Sequence, residues 1–382
     1  MEYRKLGRTG LEASVIGFGA EWIGKMEQAE VNAMAARGAA AGVNIVDCWM
    51  SDPAVRSALG EALEPTREQW IIQGHIGSTW QDGQYVRTRE LDQVRPAFED
   101  LLERLRTDHV ELGMIHYVDA EADLREVLDG PIMRLAQRLR SEGRIRHIGL
   151  SSHNPVVAHM AARTGLIDVL MFSVNPCYDL LPPSDDVDTL WADESYAREL
   201  HNIDPERQRL YEFCEREGIA IDVMKAYGGG DLLSDANSPF GRPMTPVQCL
   251  EYALTRPGVA AVMAGCRSRA EIEAALAWCS ATAAERDYTG ALAGLDKFSW
   301  EGHCMYCGHC APCSVGIDIA GVNKYYNLTL AQHEIPETVR EHYRLLPHHA
   351  SECIACGRCE RNCPFGVDII GHMRLAAAKF GY

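Results

Sequence analysis

Eight of the fourteen cysteines in this chain stand in two short runs, CMYCGHCAPC at 304–313 and CIACGRCERNCP at 353–364. The second run is spaced C-x2-C-x2-C-x3-C-P; the first is one residue shorter and lacks the proline after its last cysteine. Three thiolates at x2 spacing wrap three irons of one cubane, and the fourth cysteine of each run reaches the other cluster. The expected ligand sets are therefore Cys304, Cys307, Cys310 and Cys363 for one [4Fe-4S] cluster, and Cys353, Cys356, Cys359 and Cys313 for the other. Four thiolates also suit zinc. The repeated third cysteine and the Cys363-Pro364 ending favour iron and sulfide. A disulfide framework is disfavoured by the same crowding at metal-ligand spacing. Clusters of this kind move single electrons.

Other chemistry-bearing residues stand at the ends of apolar runs: Asp47 in VNIVDC, His75 in WIIQGHIG and His116 in VELGMIHY. With SVIGFGA, RHIGLSSH, VLMFSVN, IAIDVMKA and VAAVMAG, these make eight strand candidates between about residues 15 and 265. Amphipathic helical patterns such as AEVNAMAARGAAA, TRELDQVRPAFEDLLERLR and AEIEAALAWC lie between them. Eight strands each followed by a helix imply an α/β fold, a parallel (β/α)8 TIM barrel whose active site lies at the C-terminal ends of its strands. The opening MEYRKLGRTGLEAS reads as an N-terminal hairpin that covers one end. Residues 178–205, acidic and aromatic, exceed a plain connection and read as a lid or a solvated excursion. Between the cysteine runs, IDIAGVNKYYNLTLAQHEIPETVREHYRLLPHH has helical periodicity. The domains expected are a barrel at 1–296 and a small, mostly helical ferredoxin-like module at 297–382.

A formal charge of −17 argues against nucleic acid and anionic membranes as partners. No signal peptide or membrane span is apparent, so a soluble, cytoplasmic protein is expected.

On these residues the chain resembles the aldo-keto reductase family, in the branch that carries a C-terminal two-[4Fe-4S] ferredoxin domain. RKLGRTGLEASVIGFGAEWIG resembles the family's opening, GRIRHIGLSSHNP a middle strand, and AVMAGCRSRAEIEAAL the last strand and cofactor-phosphate helix. The resemblance implies carbonyl reduction with NAD(P)H by an aspartate, a tyrosine five positions on, a lysine ending the next strand and a histidine ending the one after. Asp47 and His116 match two of these. Asp52 stands in the tyrosine position and His75 in the lysine position. The two departures are linked, because a lysine that tunes a tyrosine has no task once that tyrosine is gone. His75 is then the candidate proton donor, oriented by Asp47. Asp52, before Pro53, reads as a helix cap, and nothing argues that Cys48 is reactive.

The family's carboxamide contacts align with Ser151, Ser152 or Asn154, and with Met171 where a glutamine is usual. Ser151 and Asn154 also suit a strand end and a cap before Pro155. Arg267 and Arg269, at a helix start, are candidate phosphate ligands; Ser268 and Glu271 also form a capping box, and Ala275 replaces the adenine-side asparagine. Lys225, before the glycines that include Gly229, resembles the MK-x-x-GG stretch of the iron-sulfur branch, as a site for an anion or a polarised carbonyl.

Three readings follow. The first is an iron-sulfur-dependent oxidoreductase acting on a small carbonyl or hydroxyl compound, with a ferredoxin- or flavodoxin-type electron donor and NAD(P) in doubt. The second is a one-electron, ketyl-type lyase or dehydratase without nicotinamide turnover. The third is an electron-transfer subunit whose barrel only docks, which the retained Asp47 and His116, the new His75 and the long lid oppose.

Overall fold

The computed structural model describes residues 1–330 and 335–382. The eight apolar runs form strands β3 (Ile16–Gly19), β4 (Ile45–Cys48), β5 (Ile71–Ile76), β8 (Val110–Ile115), β9 (Ile145–Ser152), β10 (Val169–Ser173), β12 (Ala220–Met224) and β13 (Val259–Gly265). They close in that order into one parallel barrel. Strands buried on both faces read as unbroken apolar runs, which is why their sequences lack alternation.

The opening residues form the hairpin β1 (Tyr3–Lys5) and β2 (Glu12–Ser14). Its Leu6 and Ala13 pack into the barrel interior with Ile45, Leu112, Met114, Met171 and Met263. Gly7 allows this seat, because a Cβ there would lie 2.2 Å from the Gly218 carbonyl oxygen. The floor of the barrel is thus plugged, and chemistry is left to the other end.

Two helices leaving that open end begin on side-chain caps ahead of a proline. Asp52 and Asn154 accept hydrogen bonds from the backbone of Ala54 and Val156, each ahead of a proline at the first helical turn. Such a cap contributes about 1 kcal/mol.

A second hairpin, β6 (Ser78–Gln81) and β7 (Gln84–Arg87), follows β5 at the mouth, turning at Asp82-Gly83. The 178–205 segment is wound into short 3-10 turns and ends in β11 (Leu200–His201). That strand pairs in parallel with β14 (Phe298–Ser299), so the boundary expected at 296/297 falls immediately before a strand tied back to the lid.

Beyond it lie the helices Ile319–Leu330, Glu337–Arg344, Arg358–Asn362 and Ile369–Phe380, which make the C-terminal module mostly helical. Residues 331–334, within the segment read as helical, lie outside the described residues. The buried Arg256 guanidinium joins module to barrel, donating to the Met305 carbonyl and the Tyr288 hydroxyl while stacking on Tyr252 and Tyr306. Lys324 pairs with Glu215 across the same seam at 2.7 Å. Among the described residues, no helix is long and apolar enough to cross a membrane.

Candidate functional site

Asp47 on β4 and His75 on β5 neighbour each other because their strands pair, and β8 delivers His116 just past its end. His75 Nε2 lies 2.9 Å from Asp47 Oδ1, and its Nδ1 lies 2.8 Å from His116 Nδ1. The fourth member comes from the second hairpin: the Tyr85 hydroxyl is 2.7 Å from His116 Nε2. Trp49 stacks on His116 at 5.6 Å between centroids and meets Tyr85 edge-on at 5.3 Å, fixing both rings.

Four groups in single file admit two proton arrangements. In one, Tyr85 donates to His116, His116 to His75 and His75 to Asp47, with both imidazoles neutral. In the other, His75 carries both protons, donating to Asp47 and to His116, and His116 donates to Tyr85. Burial, then the positive charge of His75, pushes His116 well below the usual histidine range, while His75 Nε2 keeps the Asp47 carboxylate at 2.9 Å. Burial pushes the Tyr85 hydroxyl up to about 12, which keeps it protonated.

Across the mouth is a second constellation, which joins the expected Lys225 to Asp119 and His153, two residues that the sequence reading passed over. Asp119 accepts from the His153 backbone N–H at 2.6 Å, and its other oxygen lies 2.9 Å from His153 Nδ1. Lys225 Nζ lies 3.0 Å from His153 Nε2, on a backbone with φ of 59°. Burial lowers Lys225 from the ordinary lysine range against the opposing charges of Glu21 and Asp119. Burial, then Lys225, likewise lowers His153. Trp191, from the lid, covers Lys225 with its ring centre 5.7 Å from the ammonium. Glu21 feels both Lys225 and Asp47, and burial raises it.

The remaining expected residues are placed as follows. Asp52 is a cap, and Cys48 is buried with its thiol pushed up to about 12, so neither offers chemistry at the mouth. The Ser151 hydroxyl accepts from the Tyr117 N–H. Asn154 uses its whole amide: its oxygen caps Val156, while its nitrogen donates to the Asp119 carbonyl and to Asp185 of the lid. Met171 packs in the barrel interior. Asn154 and Met171 thus offer no free amide to a nicotinamide carboxamide, whereas the Ser151 hydroxyl keeps its own proton to donate. At the far end of the groove, Arg267 stacks on Trp22 at 4.3 Å, and its backbone N–H donates to Glu271. Ser268 caps the helix that Arg269 opens. Gly229 has φ of 72° and is exposed, with nothing near its missing Cβ.

Beneath Asp47, Asp222 is wholly buried, and neither of its carboxylate oxygens has a hydrogen-bond partner among the described residues. Burial, then the charge of Asp47, raises it well above the carboxylate range. The unfolded chain releases this proton near about pH 4, whereas the folded chain retains it to much higher pH. Stability therefore falls as pH rises through that window, by at most about 1.4 kcal/mol per pH unit. Asp222→Asn, which cannot ionise, is expected to raise the melting temperature more at pH 8 than at pH 5. An equal gain at both would mean the native carboxyl is ionised.

In the C-terminal module the eight cysteines surround two cavities. Cys304, Cys307, Cys310 and Cys363 line one with an empty volume of about 320 Å³. Cys313, Cys353, Cys356 and Cys359 line the other, with about 370 Å³. Among the described residues, no three metal-ligating side chains close around a single ion. Four thiols lining each cavity, drawn from both runs, are the donor set that a [4Fe-4S] cluster takes, with Ala355 N–H directed at Cys353 Sγ from 3.4 Å.

Residues 15–246 match the profile of the Aldo/keto reductase family, and residues 303–368 match a 4Fe-4S dicluster domain. The chain belongs to the aldo/keto reductase family. Among its relatives is an uncharacterized oxidoreductase, YqkF, of Bacillus subtilis, 25% identical over 176 residues, or 45% of this chain and 56% of that protein. L-galactose dehydrogenase of Arabidopsis thaliana is 28% identical over 200 residues, 48% of this chain and 61% of that protein. The matches thus span less than two thirds of either relative. An aldo-keto reductase from Bacillus halodurans shares the fold with a TM-score of 0.58 at 22% identity, covering 75% of this chain and 94% of that one. A putative aldo-keto reductase from Pseudomonas aeruginosa does so with a TM-score of 0.54 at 22% identity, covering 73% and 94%.

Proposed function

We propose that this protein interconverts a small carbonyl compound and its alcohol at the barrel mouth, exchanging electrons through two [4Fe-4S] clusters. The observation that carries the reading is the unbroken file from Asp47 through His75 and His116 to Tyr85. Tyr85 supplies, from a different loop, the phenolic acid that Asp52 replaced.

When bound, the clusters supply or withdraw electrons one at a time. Carbonyl reduction takes two electrons and two protons; the proton that forms the new C–H bond comes from solvent at the mouth, and this chain's residues manage the one that goes to oxygen. With His75 doubly protonated, Tyr85 gives its proton to the substrate oxygen and is refilled from His116 Nε2. His116 is refilled in turn from His75 Nδ1, leaving both imidazoles neutral. Asp47 accepts from His75 Nε2 throughout and orients the ring.

The carboxylates of Glu21 and Asp185 and the rings of Trp49, Tyr117 and Trp191 favour a neutral, hydroxylated substrate over an anion. The name of the L-galactose dehydrogenase relative supports the same class as the first compounds to test. Cys356 is exposed, so the cluster it would hold is the natural entry for a ferredoxin- or flavodoxin-type donor.

The test uses protein purified without oxygen, with clusters reconstituted, and a panel of hydroxy-aldehydes and hydroxy-ketones. Reduced methyl viologen is expected to be oxidised in proportion to carbonyl added, and NADH and NADPH are run beside it. Viologen oxidation that never depends on the carbonyl would sink the reading.

A further inference from the structure

The proton file of Tyr85 explains one side of the mouth; the opposite side carries a base that carbonyl reduction does not use. Asp119 receives two hydrogen bonds from His153, which fixes the imidazole with its proton on Nδ1 and its Nε2 lone pair toward Lys225. Asp119 is a buried carboxylate and His153 is buried beside it, whereas Lys225 is only partly covered and faces the mouth. Lysine, imidazole and carboxylate in file hold one mobile proton: when Lys225 passes it to His153, the carboxylate faces the imidazolium and a neutral amine remains.

The two files stand on opposite halves of the barrel. Asp47 and His75 lie on adjacent strands β4 and β5, and His116 just past the end of β8, while Lys225 follows β12, which lies two strands round from β9, the strand preceding His153. Tyr117 lies between them, its ring 6.2 Å from His116 and 5.2 Å from His153. Tyr85 on His116 and Lys225 on His153 therefore stand on either side of the Tyr117 ring.

We propose that Lys225, with His153 and Asp119 behind it, is a general base that removes the proton from the carbon next to the carbonyl, so that the protein enolises α-hydroxy carbonyl compounds. The C–H bond breaks and its proton goes to the Lys225 amine. The electron pair moves onto oxygen, which takes the Tyr85 proton, giving an ene-diol; reversal returns both protons. No oxidant or reductant enters the balance. Lys225 and Tyr85 are catalytic residues of this step, and His153 and Asp119 are positioning residues.

The inference rests on the Tyr85 acid of the reading above, but its test needs no electrons. Intact protein with its clusters is incubated in D2O, without reductant or nicotinamide, with dihydroxyacetone, hydroxyacetone or glyceraldehyde, and deuterium at the α-carbon is followed by NMR. Exchange is expected about 100-fold or more above the buffer blank, the scale of a positioned base. Lys225→Met and Lys225→Arg are each expected to bring it near the blank, since arginine keeps the charge but cannot act as a base. Unchanged melting and cluster absorbance identify folded variants, and His153→Gln gives an independent loss. Exchange at the blank rate for all three probes overturns the proposal, as does full exchange in Lys225→Arg, which would leave the lysine a charge only. Failure of viologen-driven reduction leaves this result standing, and failure of exchange leaves carbonyl reduction standing.

Discussion

Replacing Tyr85 by phenylalanine is expected to lower carbonyl-dependent turnover by about 10²–10⁴-fold, the range for a positioned general acid, while the clusters remain reducible by the same donor. The substitution removes one hydroxyl and keeps the ring, so the edge-on contact with Trp49 survives. The loss is therefore chemical rather than structural. His75→Ala is expected to slow turnover too, because it cuts the file between the carboxylate and His116 and leaves no proton store. The two effects share one path, so Tyr85→Phe with His75→Ala is expected to cost little more than the worse single change. Fully multiplicative losses, measured as kcat with reduced viologen, would mean that Tyr85 and His75 act separately.

The second large effect concerns crossed ligation. Cys363 lies in the second run, but it lines the same cavity as Cys304, Cys307 and Cys310 of the first. Cys363→Ala is expected to drop iron from about eight to about four per chain, the content of one remaining cubane. Cys304→Ala combined with Cys363→Ala is then expected to leave those same irons, because both residues serve one cluster. Were each run to hold its own cluster, that double variant would lose both, and the chain would carry almost no iron or sulfide. Cys356→Ala, on the other cavity, is expected to abolish turnover with a low-potential donor. Full activity in a folded Cys356→Ala protein would make the clusters structural.

The barrel was legible because its strands are buried on both faces and spell themselves as eight apolar runs. Asp47, His75 and His116 were legible for the same reason: each follows or ends such a run, and the ends of barrel strands share one mouth. Tyr85 was not, because it stands on a hairpin between a strand and its helix, and folding that hairpin over His116 is a tertiary event. A signal existed in STWQDGQYVR, where Asp82-Gly83 between alternating residues marks a two-residue turn. It marks the turn and leaves the direction of the turn open. His153 and Asp119 were hidden differently. SSHNP reads first as a strand end and a cap, and Asn154 is indeed the cap, so the histidine between them passed as connection. The pairing of β11 with β14 had no local sign at all, since two residues on each side carry no period.

That small pairing bears on how the protein matures. The lid enters at the mouth, where Asn154 donates to Asp185, and leaves along β14, which the ribosome delivers almost a hundred residues after β11. A nascent barrel therefore emerges with its mouth unfastened, and the fastening strand arrives just ahead of the cysteines. Proteolysis of the 178–205 segment in freshly made chains is expected to fall once Ser299 has emerged from the ribosome and can pair with it. Closure of the mouth then precedes the cysteine runs in synthesis, and a chain truncated before Phe298 would keep the 178–205 segment without the strand that fastens it.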